Sequence, residues 1–515
     1  MTDPQQVDGV FDLVVIGAGA SGASTALEAV RRGLRVALLE GRDIASGTSS
    51  RSTKLLHGGV RYLELAVRRF DRRQLRLVRE ALAERAHWLE AAPFLAQRLE
   101  LLLPTRQPLA QAYYGFGLAL YDRLAGRHGI GASRCVSAPE ARQLLPQLAA
   151  GYSGVAYSDG QFDDARLNLL LVRTAAALGV RVWTRSPVVG LLRDGQGRLN
   201  GVVVEAADGR QLRLQAAVVL NATGIGADAV RQLADPTVPP RLQVSRGTHL
   251  VLAADLCPSG AGLLLPATDD GRVLFILPFF GRTLVGTTDV ACPAAGAEQP
   301  SAEEEAYLLA YVRRWFPQLG EPVVASRWAG GRPLLSPDAA AAGGTASIVR
   351  EHVVETLPCG LVSLMGGKWT TCRPMALDAL AAVAAQLGRP LPAPSSAPLL
   401  GSAATAAATR AGLEALAARL AAHHPPALVA HLLASHGLAA EAVLAAAAGP
   451  AEREPLSSVI PLTLAEVRHM ARHEWARRPA DVLARRCRLA MVDQAEAERL
   501  TPLVQAVLEQ ELQES

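Results

Sequence analysis

The chain has 515 residues, of which 50% are hydrophobic and 19% charged, and its formal net charge is +4 at pH 7. This composition is globular and excludes a disordered or fibrous protein, and the charge is too small to favour a nucleic-acid binder. Six scattered cysteines without a C-x-x-C pair predict reduced thiols in a cytoplasmic protein. The N-terminus lacks the apolar core of a secretory signal, and no unbroken apolar run reaches the roughly 18 residues of a membrane span.

The first fifty residues predict a dinucleotide-binding unit. An apolar strand at 11–16 runs into the G-x-G-x-x-G motif at 17–22, a helix follows, and a second strand at 35–39 ends at Glu40. Glycines allow a tight turn and close backbone approach to a pyrophosphate, and an acid after the second strand can bind a ribose hydroxyl. The alternative is an ordinary Gly-rich turn between a strand and a helix. The expected cofactor contacts are Gly17, Ala18, Gly19, Ala20, Ser21, Gly22 and Glu40.

The next segment, GRDIASGTSSRSTKLLHGGVRYLE at 41–64, is far more polar than a connector requires. It combines hydroxyl groups, flexible glycines and positive charge, which favours a binding loop over a solvated linker. The G-x-G-x-x-G motif alone does not distinguish FAD from NAD.

The same segment resembles the signature of the FAD-dependent glycerol-3-phosphate dehydrogenases, the aerobic, quinone-linked kind. Further blocks resemble that family in the same order: SRGTHLVL (245–252), GRTLVGTTD (281–289), WAGGRPLL (328–335), REHVVE (350–355), MGGKWTTCRPMA (365–376) and EWARRPADVLARRCRLAMVD (474–493). The resemblance therefore covers most of the chain.

Five positions depart from that pattern. Ile225-Gly226 stand where the family usually has Pro-Trp, and Phe279 where Trp is usual. Gly331 replaces a larger apolar residue, and Cys372 replaces Tyr. None of these changes removes a charged group, so we expect altered packing with the chemistry kept.

The resemblance implies an α/β fold of the D-amino-acid-oxidase-like superfamily: a discontinuous Rossmann-like FAD-binding domain with an inserted antiparallel-sheet substrate domain, followed by an all-helical C-terminal domain. The expected FAD-binding parts are 1–70, 150–240 and 326–386, and the substrate-domain parts are 71–149 and 241–325. The Pro/Ser-rich stretch 387–402 is predicted to be a linker, and the Ala-rich sequence that follows predicts helices over 403–515.

Oxidation of a phosphorylated secondary alcohol needs a base for the hydroxyl proton and positive groups for the phosphate and the reduced flavin. By resemblance, the catalytic candidates are His57, His249, Arg332 and Lys368, with the choice of base between the two histidines left open. The substrate-binding candidates are Arg61, Arg332, Lys368, Thr287 and Thr288. The remaining cofactor candidates are Thr48, Ser49, Ser52, Lys54, Leu56, Val188, Ala222, Thr223, Gly224, Gly367, Lys368 and Thr370; no metal site is expected.

Lysine is strongly depleted in this chain. Lys and Arg together number 52, and only Lys54 and Lys368 are lysine. Arginine's planar fork and lysine's compact ammonium suit different sites, so a retained lysine indicates a position where the fork fails. Because both lysines fall in cofactor motifs, we expect both near the flavin or the substrate; the alternative is chance.

The stretch 68–85 is basic, with apolar residues recurring on one helical face. It is typical both of a helix resting on anionic lipid and of a surface helix packed on its own domain. The resemblance favours a protein peripheral on the inner face of the cytoplasmic membrane. The expected partners are sn-glycerol 3-phosphate, a quinone and anionic lipid, with no nucleic acid; a homodimer is one option for the oligomeric state. The alternatives are a soluble oxidase using O₂ and a non-catalytic flavin-binding regulator.

Overall fold

The computed structural model describes residues 10–59, 72–206, 209–336 and 352–513. The strands are β1 (Phe11–Ile16), β2 (Val36–Leu39), β3 (Leu55–Leu56), β4 (Ala96–Thr105), β5 (Arg134–Val136), β6 (Ser153–Phe162), β7 (Arg181–Trp183), β8 (Val188–Arg193), β9 (Leu199–Glu205), β10 (Gln211–Asn221), β11 (Leu242–Leu252), β12 (Gly262–Leu265), β13 (Leu274–Phe279), β14 (Arg282–Gly286), β15 (Val290–Ala291), β16 (Val324–Leu335), β17 (His352–Thr356) and β18 (Val362–Gly366).

The helices are α1 (Ala20–Arg31), α2 (Arg72–Ala91), α3 (Pro108–Ala125), α4 (Ala138–Leu144), α5 (Asp164–Ala177), α6 (Ala227–Ala234), α7 (Ala302–Trp315), α8 (Cys372–Leu387), α9 (Ala406–Ala421), α10 (Pro426–His436), α11 (Ala440–Leu444), α12 (Leu464–His473), α13 (Leu489–Val492) and α14 (Gln494–Gln513). A short π-helix spans Asp481–Arg486.

The first sheet has a parallel core in the order β18-β10-β1-β2-β7. Its central strand, β1, reads FDLVVI and is almost entirely buried, as expected of a parallel strand covered on both faces. Helix α1 begins directly after β1, so its N-terminus lies at the carboxyl edge of the sheet. This edge is where α/β sheets bind nucleotides.

The second sheet has ten strands, ordered β15-β11-β14-β13-β12-β4-β6-β3, with β16 paired to β11 and β5 to β6. Most neighbouring strands are antiparallel, and β11 pairs with β16 along nearly its whole length. This pairing confirms the expected combination of a Rossmann-like unit with a largely antiparallel sheet.

The expected domain boundaries differ from the strand pairing at three strands. The boundaries place β3, β6 and most of β16 in the FAD-binding parts, but all three strands belong to the second sheet. Local sequence does not reveal this, because the apolar pattern of a strand does not name its partner. The chain therefore passes from one sheet to the other just before β3, just after β6 and just after β16.

The C-terminal residues form helices, as the Ala-rich sequence predicts. Among the described residues, the helical stretch Pro426–Leu444 is long and apolar enough to pass a length-and-composition test for a membrane span, and half of that window is buried within the protein. Leu428, Leu432 and Val443 from this stretch pack against Leu416 and Leu420 of α9. A buried position of this kind is typical of a core helix.

Glu474 joins the C-terminal helices to α5 through a buried ion pair. Its carboxylate, with no exposed surface, lies 2.7 Å from Arg166 Nη1 and 2.8 Å from Arg173 Nη1. These two arginine charges hold the pKa of the carboxyl well below its usual range, against the opposing effect of burial. The ionised form is therefore the one that stabilises the contact.

We expect Glu474→Gln to lower the free energy of unfolding by about 3–5 kcal/mol, because it leaves the buried guanidinium of Arg166 and the partly buried one of Arg173 without their countercharge. The measurement is chemical denaturation followed by circular dichroism. Glu441→Gln is the matched control, since the Glu441–Arg419 pair is more than half exposed and is worth about 0–1 kcal/mol. Equal losses in the two variants would contradict the prediction.

Candidate active site

Residues of both sheets line one cavity of about 990 Å³. One end lies over the carboxyl edge of the parallel sheet, near Gly17 and Glu40, and the other lies beside β11 and β16, near His249 and Arg332. The volume is large enough for an extended cofactor together with a small substrate.

The glycine turn after β1 leaves no room for side chains. Gly17 has φ of +101°, a conformation that L side chains rarely adopt, and a Cβ on Gly22 would stand 1.8 Å from the Gly17 oxygen. A Cβ on Gly19 would stand 2.9 Å from Ser49 Oγ. Gly19, the N-cap of α1, provides no side-chain cap, and the Ala20 N–H donates to Ser49 Oγ, so it is the next N–H groups of the first turn that can face an anion in the cavity. This cradle fits a dinucleotide pyrophosphate.

Glu40 lies at the end of β2 and lines the cavity. Its carboxylate accepts hydrogen bonds from the backbone N–H groups of Ala18 (2.9 Å) and Arg42 (2.8 Å). Burial raises the pKa of this carboxyl, while the two backbone donors and Arg42 oppose the rise. The acid that was predicted to bind a ribose also braces the glycine turn.

The hydroxyl-rich loop after β2 folds over the same end of the cavity. Ser49 Oγ accepts from the Ala20 N–H at 2.9 Å, and the Ser49 carbonyl accepts from Trp369 Nε1 at 3.1 Å. Thr48 donates its hydroxyl hydrogen to the Gly331 carbonyl. The loop thus connects α1, β16 and the segment after β18, which lie far apart in sequence.

Arg332 is fixed at the opposite end of the cavity by two neighbouring threonines. Its Nη2 donates to Thr287 Oγ1 at 2.9 Å and its Nη1 to the Thr288 carbonyl at 3.1 Å, and Asp289 lies 3.7 Å away. A Cβ on Gly247 would stand 2.3 Å from Arg332 Nη2, so glycine at 247 makes room for the guanidinium. The result is an oriented positive group facing the cavity.

His249 lines the cavity while only 2% of its surface is exposed. Its Nε2 lies 3.0 Å from Thr53 Oγ1, and its ring stacks on Trp328 with centroids 5.5 Å apart. Burial, followed by the charges of Lys54 and Arg332, holds the pKa of this histidine well below its usual range. The imidazole is therefore neutral, and the causes that keep it neutral also make it a weaker proton acceptor.

Most of the predicted site residues meet in this one cavity. The lining includes Gly17, Gly19, Ala20, Ser21, Glu40, Thr48, Ser49, Ser52, His57, Val188, Ala222, Thr223, Gly224, His249, Thr287, Thr288, Arg332, Gly367, Lys368 and Thr370. Arg61 falls outside the described residues. Ala18, Gly22, Lys54 and Leu56 lie behind the lining: Ala18 and Gly22 shape the turn, and Leu56 is in the core.

Lys54 differs from its expected position at the flavin or substrate. It is 1% exposed, and its ammonium lies between the two Asp164 carboxylate oxygens, at 2.9 and 2.8 Å, and the Ser50 carbonyl, at 2.7 Å. Burial, followed by the charge of Arg488, lowers the pKa of Lys54 to about 7, while Asp164 opposes the shift. Lys54 supports the loop from beneath, whereas Lys368 lines the cavity as expected.

Sequence reasoning missed an apolar extension of the cavity. It is lined by residues of β4, α3, β12 and β13, namely Leu103, Tyr113, Tyr114, Phe116, Leu118, Leu120, Leu264 and Phe275. These residues carry no polar motif, and only the fold brings them together. A cluster of adjacent aromatic residues in the sequence YYGF (113–116) was the available signal.

Two of the positions that depart from the family pattern lie next to each other. A Cβ on Gly331 would stand 2.9 Å from Ala297 Cβ, 3.0 Å from Val244 Cγ1 and 3.3 Å from Ile225 Cγ2, so Ile225 is one of three side chains that crowd this glycine. Cys372 is buried, and its sulfur accepts a hydrogen bond from Ser24 Oγ at 3.1 Å. Whether the packing differs from that of the family stays a prediction.

Comparison with known proteins agrees with this geometry. Residues 12–373 match the model of the FAD dependent oxidoreductase family, and residues 394–515 match the C-terminal domain of alpha-glycerophosphate oxidase. The chain belongs to the FAD-dependent oxidoreductase family. FAD is therefore its cofactor, as the glycine cradle and the long cavity fit.

Three similar proteins belong to one group within this family, the glycerol-3-phosphate dehydrogenases. The mitochondrial glycerol-3-phosphate dehydrogenase of Arabidopsis thaliana is 38% identical over 97% of this chain and 83% of its own length, and that of Homo sapiens is 37% identical over 98% and 70%. A solved glycerol-3-phosphate dehydrogenase from Bacillus halodurans, complexed with FAD, has a TM-score of 0.79 and 27% identity, covering 99% of this chain and 92% of that one.

We expect Gly22→Ala to abolish stoichiometric FAD retention, because the new Cβ would overlap the Gly17 oxygen and force the cradle open. The measurement is the ratio of flavin absorption to protein in the purified variant. Gly195→Ala is the matched control, since a Cβ there meets no atom within 4 Å. A fully yellow Gly22→Ala protein would contradict the pyrophosphate cradle.

Proposed function

We propose that the protein oxidises sn-glycerol 3-phosphate to dihydroxyacetone phosphate and passes the electrons to a quinone. The observation that carries this proposal is the pairing, in one cavity, of a neutral buried histidine with a fixed guanidinium at the end opposite the pyrophosphate cradle. The dehydrogenase relatives support the same substrate.

The residues divide the work between binding and proton transfer. FAD, when bound, accepts the hydride from the substrate carbon. Arg332 and Lys368 supply positive charge that suits a phosphate or a developing negative charge, and Thr287 and Thr288 border Arg332. His249 is one candidate base for the hydroxyl proton: burial and the neighbouring cations keep it neutral, although the same lowered pKa weakens it as a proton acceptor.

His57 stays a candidate base because it also lines the cavity. The apolar extension favours a hydrophobic electron acceptor over O₂, because its aliphatic and aromatic walls suit the ring and tail of a quinone. The homodimer stays a prediction.

The decisive experiment is an anaerobic titration of the purified holoprotein, followed by visible absorption. We expect sn-glycerol 3-phosphate to bleach the flavin and glycerol to leave it yellow, since only the former carries a phosphate for the cationic groups. A flavin that stays oxidised with both compounds would overturn the substrate assignment. Oxidation of the reduced protein by O₂ as fast as by a soluble quinone would favour the oxidase alternative.

The basic stretch at 68–85 does not supply a free apolar face for lipid in its described part. Val78 and Leu82 of α2 are fully buried against Leu118 and Tyr121, and Arg85 lies 2.8 Å from the buried Asp159. This part of the helix packs on its own domain, which was the alternative interpretation. Phe70 falls outside the described residues.

Helix α3 offers a better candidate surface for a membrane. Leu109, Tyr113 and Phe116 share one helical face by their spacing and are 86%, 49% and 73% exposed. Arg123 continues the same face and is exposed, as is Arg127 in the turn that follows. Exposed apolar residues beside basic ones suit an anionic lipid surface. We propose that this face rests on the inner face of the cytoplasmic membrane, which would place the apolar extension of the cavity near lipid-dissolved quinone.

We expect the double variant Leu109→Ser/Phe116→Ser to lose most of its binding to vesicles of phosphatidylcholine and phosphatidylglycerol in a flotation assay at low salt. Flavin bleaching by substrate should be unchanged, because neither change touches the cationic end of the cavity. Val323→Ser, at a site 67% exposed, is the control for loss of a single apolar surface residue. Equal flotation of all three proteins, or none by the parent, would contradict the membrane proposal without affecting the substrate assignment.

A further inference from the structure

Three arginines of the C-terminal domain reach out of that domain towards the cofactor end of the cavity. Arg485, Arg486 and Arg488 lie in and just after the π-helix, and Arg486 and Arg488 are each 1% exposed. Their partners outside the C-terminal domain belong to the segment between β2 and β3 and to the start of α5.

Arg485 and Arg486 hold the beginning of this segment. Arg486 Nη2 donates to Asp43 Oδ1 at 2.8 Å, and both arginines also contact Asp43 Oδ2. Asp43 is 2% exposed and lies three residues after Glu40. The carboxylate is thus held by two cations from a domain that begins about 350 residues later in the chain.

Arg488 holds the middle of the segment. Its Nη2 lies 2.9 Å from both the Ser50 carbonyl and Asp164 Oδ1. Asp164 has no exposed surface, and it also accepts from Lys54, from Ser52 Oγ at 2.6 Å and from the Ser52 N–H at 3.0 Å. Arg488 therefore completes a closed cluster of charged and backbone groups.

The residues between these anchor points form the wall of the cavity. Ser46, Gly47, Thr48, Ser49, Arg51, Ser52 and Thr53 all line it. Such a polar loop has little apolar surface of its own to hold it, so its conformation depends on charge-assisted bonds from outside. The end of the loop also contacts the other end of the cavity. Thr53 Oγ1 lies 3.0 Å from His249 Nε2, and Lys54 Nζ lies 5.4 Å from the centroid of the Trp328 ring.

We propose that Arg485, Arg486 and Arg488 are positioning residues of the FAD site: through Asp43, Ser50 and Asp164 they hold the 43–53 loop in the conformation that binds the cofactor. The C-terminal helical domain is then a component of the cofactor site. This inference rests on FAD binding alone and is independent of the substrate and of the electron acceptor.

Other contacts join the same two parts of the chain without touching the loop. Arg282 of β14 pairs with Asp493, and Ser326 Oγ of β16 donates to the Ala490 carbonyl at 2.8 Å. They provide a matched comparison, because breaking them weakens the domain contact and leaves the loop anchors in place.

The test compares Arg488→Met and Arg488→Lys with Arg282→Met. The first measurement is the Kd for FAD after removal of the flavin; the second is amide hydrogen exchange over residues 43–53. For Arg488→Met we expect the Kd to rise at least tenfold and exchange in the loop to accelerate, because Asp164 and Ser50 lose a donor. Arg488→Lys should lie between this variant and the parent, since it keeps the charge and loses the fork. Arg282→Met should change neither quantity, even if its Tm falls.

The opposite pattern would overturn the proposal. If Arg488→Met lowers Tm but leaves the Kd for FAD and the loop exchange as in the parent, Arg488 is only a contact between domains. If Arg488→Met does not fold, Arg485→Met decides the matter, because Arg485 is only partly buried: unchanged FAD binding and unchanged exchange around Asp43 in that variant would contradict the anchor.

Discussion

The active site depends on one buried carboxylate, that of Asp164. Two cations, Lys54 and Arg488, and the backbone and hydroxyl of Ser52 meet on it, all away from water. A buried charge without partners is strongly unfavourable. Removing one member of a buried ion pair therefore destabilises the protein strongly, because the other charge is left buried and unpaired. The three segments that carry these groups are therefore held in one arrangement, and the cavity wall is part of it.

The sequence predicted the cofactor end well because its information is local. Six residues from Gly17 to Gly22 determine a turn in which side chains do not fit, and the acid at the end of the next strand follows at a fixed spacing. The Asp164–Arg488 pair could not be predicted this way, since its members are 324 positions apart. The available signal was the doubled acid Asp163-Asp164 at a helix start, where one capping carboxylate suffices.

The basic stretch at 68–85 shows a different limit. Periodicity identified its apolar face, but a periodic face is the same whether a sheet, a helix or a lipid covers it. In the fold, Val78 and Leu82 are covered by α3, whereas Leu109 and Phe116 on the far side of α3 are not. Burial is a property of two partners, and the sequence of one helix describes only one of them. The same reason explains why the expected domain boundaries do not follow the strand pairing at β3, β6 and β16.

The two retained lysines show that composition can point to a notable position without indicating what the residue does there. Lys54 was expected at the flavin or substrate, and it lies instead beneath the loop that surrounds the cofactor. Its backbone is left-handed, with φ of +63°, and the ammonium meets both oxygens of Asp164 and the Ser50 carbonyl within 3 Å. The Arg488 guanidinium binds the same Ser50 carbonyl and the same Asp164 oxygen, so a planar fork and a compact ammonium share these partners. Lysine depletion thus drew attention to a residue that supports the cavity wall from behind, although it does not line the cavity.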